Sequence, residues 1–135
     1  MSDITTNNKY FYGVGRRKRS TARAKYYPNS QEVIILVNQK PLDKYFEDYF
    51  QKTILVALKN LGVSSGVFHT FVSGGGIKGQ AEAIRLAITK SLVTYDEGFR
   101  VIARMHKYLT TDPRKVAPKL PGLRKNRKRE QWSKR

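Results

Sequence analysis

Apolar and polar positions change period several times along this 135-residue chain, and each change marks an element. Tyr10 to Arg17 (YFYGVGRR) is aromatic and β-branched and predicts a strand. Gly13 and Gly15 interrupt it, as they would where a strand bends or another backbone comes close. Thr21 to Tyr27 alternates, with Ala22, Ala24 and Tyr26 on one face and Thr21, Arg23 and Lys25 on the other. That is the pattern of a half-buried strand with a basic outer face. Pro28-Asn29-Ser30 reads as a turn, and Glu32 to Asn38 (EVIILVN) as the most apolar strand, expected at the centre of a sheet. Pro41 suits the first position of a helix. Leu42 to Tyr49 predicts a short one with Leu42, Tyr45, Phe46 and Tyr49 on one face, and Thr53 to Leu61 continues with an Ile54, Leu58, Leu61 stripe that Gly62 ends. Val67 to Ser73 alternates again and is broken by Gly74-Gly75-Gly76. Gln80 to Tyr95 then has Ala81, Ile84, Ile88 and Leu92 at helical spacing, with Glu82, Arg85, Thr89 and Lys90 elsewhere, the clearest amphipathic helix in the chain. Phe99 to Leu109 predicts a further short helix. Beyond it the periodicity disappears, and Pro113, Pro118 and Pro121 open a tail.

The expected architecture is α+β: a mixed β-sheet packed with helices on one face, in a body spanning residues 10–109. A flexible N-terminus, residues 1–9, precedes it, and an extended basic tail, residues 110–135, follows it. There is no internal repeat.

Charge sharpens this division. The formal net charge is +17, carried as +6 over Met1 to Lys25, +1 over Tyr26 to Ala103 and +10 over Arg104 to Arg135. Pro113 to Arg135 alone has ten Lys or Arg against one acid, Glu130. Such a segment buries too little apolar surface to offset the entropy of its own ordering, so it waits for an anionic partner. A near-neutral body with two basic ends is the distribution expected of a nucleic-acid binder. The absence of cysteine excludes disulfides and thiolate metal sites. No apolar run approaches the roughly 18 residues of a membrane span, and MSDITTNNKY lacks the basic and apolar regions of a secretory signal. A cytoplasmic protein without membrane contact is expected.

Two motifs bear on chemistry. Gly74 to Gly79 (GGGIKG) follows a strand, opens a helix and fits G-x-G-x-x-G, with Asp96 and Glu97 about 20 residues on. A dinucleotide site would place its acid at the end of a second parallel strand, whereas Asp96 directly follows the helix. A Walker loop would need Lys where Gln80 stands. What remains is the physics both motifs share: glycines expose backbone N–H groups, and a helix N-terminus adds partial positive charge. Lys78 and Arg85 would reinforce it, so phosphate contact is preferred to a merely tight turn. The second motif is the run Arg16, Arg17, Lys18, Arg19, continued by Arg23 and Lys25. Mutual repulsion makes it costly as a simple solvated surface and favourable against RNA phosphates. His69 and His106 are the only histidines and have no clustered carboxylates or cysteines, so neither metal binding nor catalysis is expected. Ser64, Ser65 and Ser73 have no His and Asp at recognisable spacing. Asp43, Glu47 and Asp48 fit a helix surface with Lys44 and Lys52. No enzyme and no cofactor is expected. Trp132, the single tryptophan, lies in the tail, where docking on the body and stacking on RNA bases are equally open.

The chain closely resembles the bacterial and organellar form of the ninth small-subunit ribosomal protein family. The family's helical signature stands in Gly74 to Leu92 (GGGIKGQAEAIRLAITKSL), with Gly74, Gly75, Gly76, Gln80, Ala83, Ala87, Lys90 and Leu92 in the expected places. The early motif G-x-G-R-R-K-x-x-x-A-R stands in Gly13 to Arg23, and the ending Q-[aromatic]-S-K-R in Gln131 to Arg135. Three departures occur: Ala117-Pro118-Lys119-Leu120 replaces a Glu-Arg-Lys-Lys run, Glu130 a usual Pro, and Trp132 a usual Phe. The first removes charge at the start of the tail; Arg124 to Arg129 is intact.

The resemblance implies a body like the second domain of the fifth small-subunit protein, with a left-handed βαβ crossover against the usual rule. It implies a structural constituent of the small ribosomal subunit, bound to rRNA of the head in its 3′ major domain, beside neighbouring head proteins, in the ribosome of the cytoplasm or of an organelle. On this reading Arg16, Arg17, Lys18, Arg19, Arg23, Lys25, Lys78, Arg85, Arg114 and Lys115 meet rRNA, Gly74, Gly75, Gly76 and Gln80 present the loop to it, and Arg124, Lys125, Arg127, Lys128 and Arg129 thread it. Ser133, Lys134 and Arg135 reach P-site tRNA; 23 extended residues span roughly 75 Å. No homo-oligomer is expected. The alternatives are a free-standing, nonspecific RNA-binding protein or RNA chaperone, and a small phosphate-ligand enzyme using the glycine loop.

Overall fold

A computed structural model of the chain describes residues 9–134. Arg135, the last residue assigned to tRNA above, and most of the N-terminal segment lie outside the described residues.

The elements are β1 (Phe11–Arg17), β2 (Ser20–Tyr27), β3 (Val33–Val37), β4 (Lys40–Pro41), α1 (Leu42–Tyr45), α2 (Asp48–Asn60), β5 (Gly66–Ser73), α3 (Ile77–Tyr95) and α4 (Phe99–Met105). They form one mixed sheet in the order β1-β2-β5-β3-β4. Only β3 and β5 pair in parallel; every other neighbour is antiparallel. The apolar β3 is therefore not the central strand. β5 is, and β3 is followed outward by the two-residue β4. Beyond β3, Asn38 lengthens the β3–β5 pairing: its side chain accepts a hydrogen bond from Val72 N (2.9 Å) and donates one to Val72 O (3.0 Å).

Alternation places Ala22, Ala24 and Tyr26 of β2, Phe68 and Val72 of β5, and Ile35 and Val37 of β3 on one buried face. There they meet Ile54, Leu58 and Leu61 from the α2 region and Ile84, Ile88 and Leu92 from α3. These helices cover that face alone, as expected. The predicted stripes are correct, but the surroundings of α3 are more crowded than its pattern implies. Thr89, assigned to the polar side, is fully buried and donates its hydroxyl to Arg85 O at 2.9 Å, which satisfies it within its own helix.

The helix predicted over residues 42–49 stops early. Phe46 and Glu47 are extended, a new helix starts at Asp48, and Tyr49, expected on the buried face, is 70% exposed. α4 is also shorter than predicted. Lys107 takes a left-handed φ of 55°, and Tyr108 N returns to Ala103 O at 2.9 Å, a terminating turn made without glycine.

Two glycines decide how closely the layers approach. A Cβ on Gly13 would stand 2.6 Å from Ser91 N, and one on Gly15 2.6 Å from Ala87 N. Each would lie closer still to an α3 carbonyl oxygen, of Ala87 and Ala83 respectively. The second backbone anticipated at these positions is that of α3, which lies directly on β1.

Candidate nucleic-acid interface

Lys18 and Arg19 form the two-residue tip of the β1–β2 hairpin, and Lys18 adopts φ 56°. Arg16 and Arg17 end the strand that leads into it. Antiparallel pairing of β2 with β5 sets Thr21 opposite Ser73, so the glycine loop leaves β5 beside this tip. Ser20 fastens the two together. Its buried hydroxyl donates to Gly74 O at 3.0 Å, and Gly75 and Gly79 leave it the space it occupies. Gly74 and Gly75 have φ of 71° and 68°, so glycine is needed at both for backbone reasons as well. Gly76 is the N-cap of α3; no side chain caps the helix and no acid lies in its first turn. Its positive end is unneutralised, with Lys78 in the first turn. Gln80 is bound inside the body, donating to Gly74 O at 3.2 Å and accepting from Tyr45 Oη at 3.1 Å.

The tail starts at the same end. The Arg17 guanidinium pairs with Glu82 of α3 at 2.5 Å and with Asp112 at 2.6 Å. Asp112 also pairs with Arg114 at 2.6 Å. Arg114, through side-chain and backbone hydrogen bonds and its charge, holds the Asp112 carboxyl well below the usual carboxylate range, and Arg17 adds to the effect. Arg17 is thus a tie between hairpin, helix and tail root, with its charge matched inside the protein. Arg16, Lys18 and Arg19 make no salt bridge to a described residue. Arg85 lies deeper, in a cavity of about 170 Å³ lined also by Arg16, Arg17, Glu82, Tyr108 and Asp112. Its guanidinium sits 5.3 Å from the Tyr108 ring centroid, and its buried Nε has no hydrogen-bond partner among the described residues.

Arg23 and Lys25 stand apart from the tip, on the sheet face opposite the buried Ala22, Ala24 and Tyr26. Arg114 and Lys115 share a surface groove with Arg17 and Lys18. Farther on, Leu123 and Arg129 form an isolated antiparallel bridge, and Arg124 N donates to Lys128 O at 2.8 Å. Arg124, Lys125, Arg127 and Lys128 therefore occupy one small loop. Trp132 is 81% exposed.

Sequence reasoning missed Glu82 and Asp112, the acids that organise the arginines. Glu82 follows the glycine loop within one motif, but nothing local links either acid to Arg17. Among the described residues no group of His, Cys, Asp and Glu could hold a metal ion, and no helix is long and apolar enough to cross a membrane.

A basic hairpin tip, an uncapped helix start behind three glycines and the root of a cationic tail, all at one end of an α+β body, define a class of polyanion-binding protein. Comparison with known proteins gives the family. The model for ribosomal protein S9/S16 matches residues 15–135. A curated relative, small ribosomal subunit protein uS9 of Pelodictyon phaeoclathratiforme (strain DSM 5477 / BU-1), is 44% identical over 126 residues, covering 90% of this chain and 95% of its own. The chain belongs to the ribosomal protein S9/S16 family.

Proposed function

We propose that this chain is a structural, non-catalytic constituent of the small ribosomal subunit that binds rRNA of the subunit head through the basic end of its body. One observation carries the reading: Arg16, Lys18, Arg19, the Gly74–Gly76 loop and the tail root, distant in sequence, meet at one end. Such a cluster matches a folded phosphate backbone better than a small ligand, because its cations are spread over a surface and not gathered in a closed pocket. The tail continues the contact through Arg124 to Arg129, and Ser133, Lys134 and Arg135 reach P-site tRNA. The tRNA contact is inferred from family membership and from the tail's charge and length.

The test is incorporation. Lys18→Ala with Arg19→Ala should lower occupancy in small subunits and reduce the salt slope of binding to a head-domain rRNA fragment by about one per removed contact. Normal occupancy and an unchanged slope would overturn the rRNA assignment. Deleting residues 133–135 should leave occupancy intact and weaken P-site tRNA binding by purified subunits. Unchanged tRNA affinity would remove that part of the proposal alone.

A further inference from the structure

Among the described residues nothing covers the sheet face opposite the helices, yet its composition is not that of an ordinary solvated face. Tyr10, Tyr12 and Phe71 are 47%, 44% and 37% exposed. The strand register orders them among cations. Tyr12 lies opposite Lys25, which lies opposite His69; Val14 lies opposite Arg23, which lies opposite Phe71. Tyr10 is held in place beside them: the Tyr10 and Tyr27 rings are 5.9 Å apart, Tyr27 and His69 are 5.4 Å apart edge to face, and Lys25 Nζ sits 4.7 Å from the Tyr10 centroid. No acidic residue occupies a strand position on this face. At its upper end the next row is Arg16, Thr21 and Ser73, which adjoins the hairpin tip and the glycine loop.

We infer that this open face is a stacking platform for unpaired RNA bases, continuous with the phosphate-binding end. The inference rests on the rRNA-binding reading and adds to it a second kind of contact. Neighbouring strands lie about 4.8 Å apart and same-face residues about 6.8 Å apart along a strand, so Tyr12 and Phe71 present separate rings on either side of β2. Arg23 and Lys25 stand between them, where a backbone joining two stacked bases would carry its phosphates. An apolar protein partner would leave these two cations buried and unpaired, a large cost. A strongly acidic protein could pair them but would not use the rings. A duplex could not reach the rings either, because its bases are already stacked. Single-stranded RNA alone satisfies both groups.

The test compares a mixed-sequence single-stranded RNA 12-mer, the same strand with several abasic positions, and the corresponding duplex, all with the full chain. The parent should bind the intact strand at least roughly tenfold more tightly than the abasic one, since stacking adds a sequence-tolerant increment per base. Tyr12→Leu with Phe71→Leu keeps the face apolar and, at exposed positions, the fold. It should abolish that preference while leaving duplex affinity and salt slope unchanged. Arg23→Gln, with the rings intact, should lower the salt slope on the single strand and keep the intact-over-abasic preference. A double-leucine variant that retains the preference overturns the platform. So does a variant that binds RNA normally but is lost from assembled subunits, which would make the face a protein contact. A parent chain that binds none of the three RNAs overturns the rRNA reading itself, and is thereby distinguished from failure of the platform.

Discussion

Gly15→Ala is expected to destabilise the body, because α3 lies too close to β1 for any side chain there. The new Cβ would stand 2.6 Å from Ala87 N, well short of the 3.4 Å at which ordinary contact begins, and nearer still to the Ala83 carbonyl oxygen. Both obstacles are helix backbone, so no rotamer change relieves them. The helix must retreat by roughly an ångström, opening gaps along a core packed at crystal-like density. Overpacking of this kind costs about 1–3 kcal/mol, and for a domain of this size each kcal/mol lowers Tm by roughly 4–8 °C. A fall of roughly 5–20 °C should follow. Urea unfolding monitored by far-UV circular dichroism should show a lower midpoint with unchanged slope. Gly76→Ala is the control: a Cβ there meets nothing within 4 Å, and the residue's φ is −109°. It should lose less than about 1 kcal/mol as a helix-cap change. Gly13→Ala should combine with Gly15→Ala less than additively, since one retreat of α3 relieves both. If Gly15→Ala melts with the parent while Gly76→Ala falls, the close-approach argument is wrong.

Arg17→Ala should cost stability yet leave the salt slope of RNA binding nearly unchanged, because its charge is matched by Glu82 and Asp112; a slope reduced as much as by Lys18→Ala would contradict this. Asp112→Asn should release the tail root, and trypsin should then cut after Arg114 and Lys115 faster than in the parent; equal cutting rates would show that the Arg17–Asp112 pair holds nothing. Burial, and then the charge of Lys25, lower the pKa of His69. A base lowered in the folded state binds fewer protons than in the unfolded chain, so its stabilising effect is present above the usual histidine pKa and fades as pH falls below it. His69→Gln should flatten the loss of stability between about pH 7 and pH 5, and an unflattened profile would assign that loss to other groups.

The periodicity of the chain located nearly every element. Alternation in β2 and the 3.6-residue spacing in α3 are local signals, and they identified the buried face of the one and the buried stripe of the other. The break at Phe46 was invisible because the apolar face of residues 42–49 is continuous in sequence. Thr89 was misplaced because polarity in a helix does not say whether its hydroxyl is satisfied by its own backbone. The centre of the sheet was misjudged for a related reason: β3 has the more apolar sequence, but strand order follows from pairings between distant residues.

The sequence by itself determined that a near-neutral α+β body carries cationic ends, that glycines at 13, 15, 74 and 75 mark close approach or special backbone, and that the partner is a polyanion. Each of these is written in composition, local period or residue type. Only the tertiary structure decided that hairpin tip, glycine loop and tail root share one end, joined by Ser20 to Gly74 and by Arg17 to Glu82 and Asp112. It also separated the runs of like charge, matching Arg17 internally and setting Arg23 and Lys25 among aromatic rings on an open face. Charge adds up along a chain without regard to folding, whereas the pairing of charges depends on which distant residues the sheet register brings together.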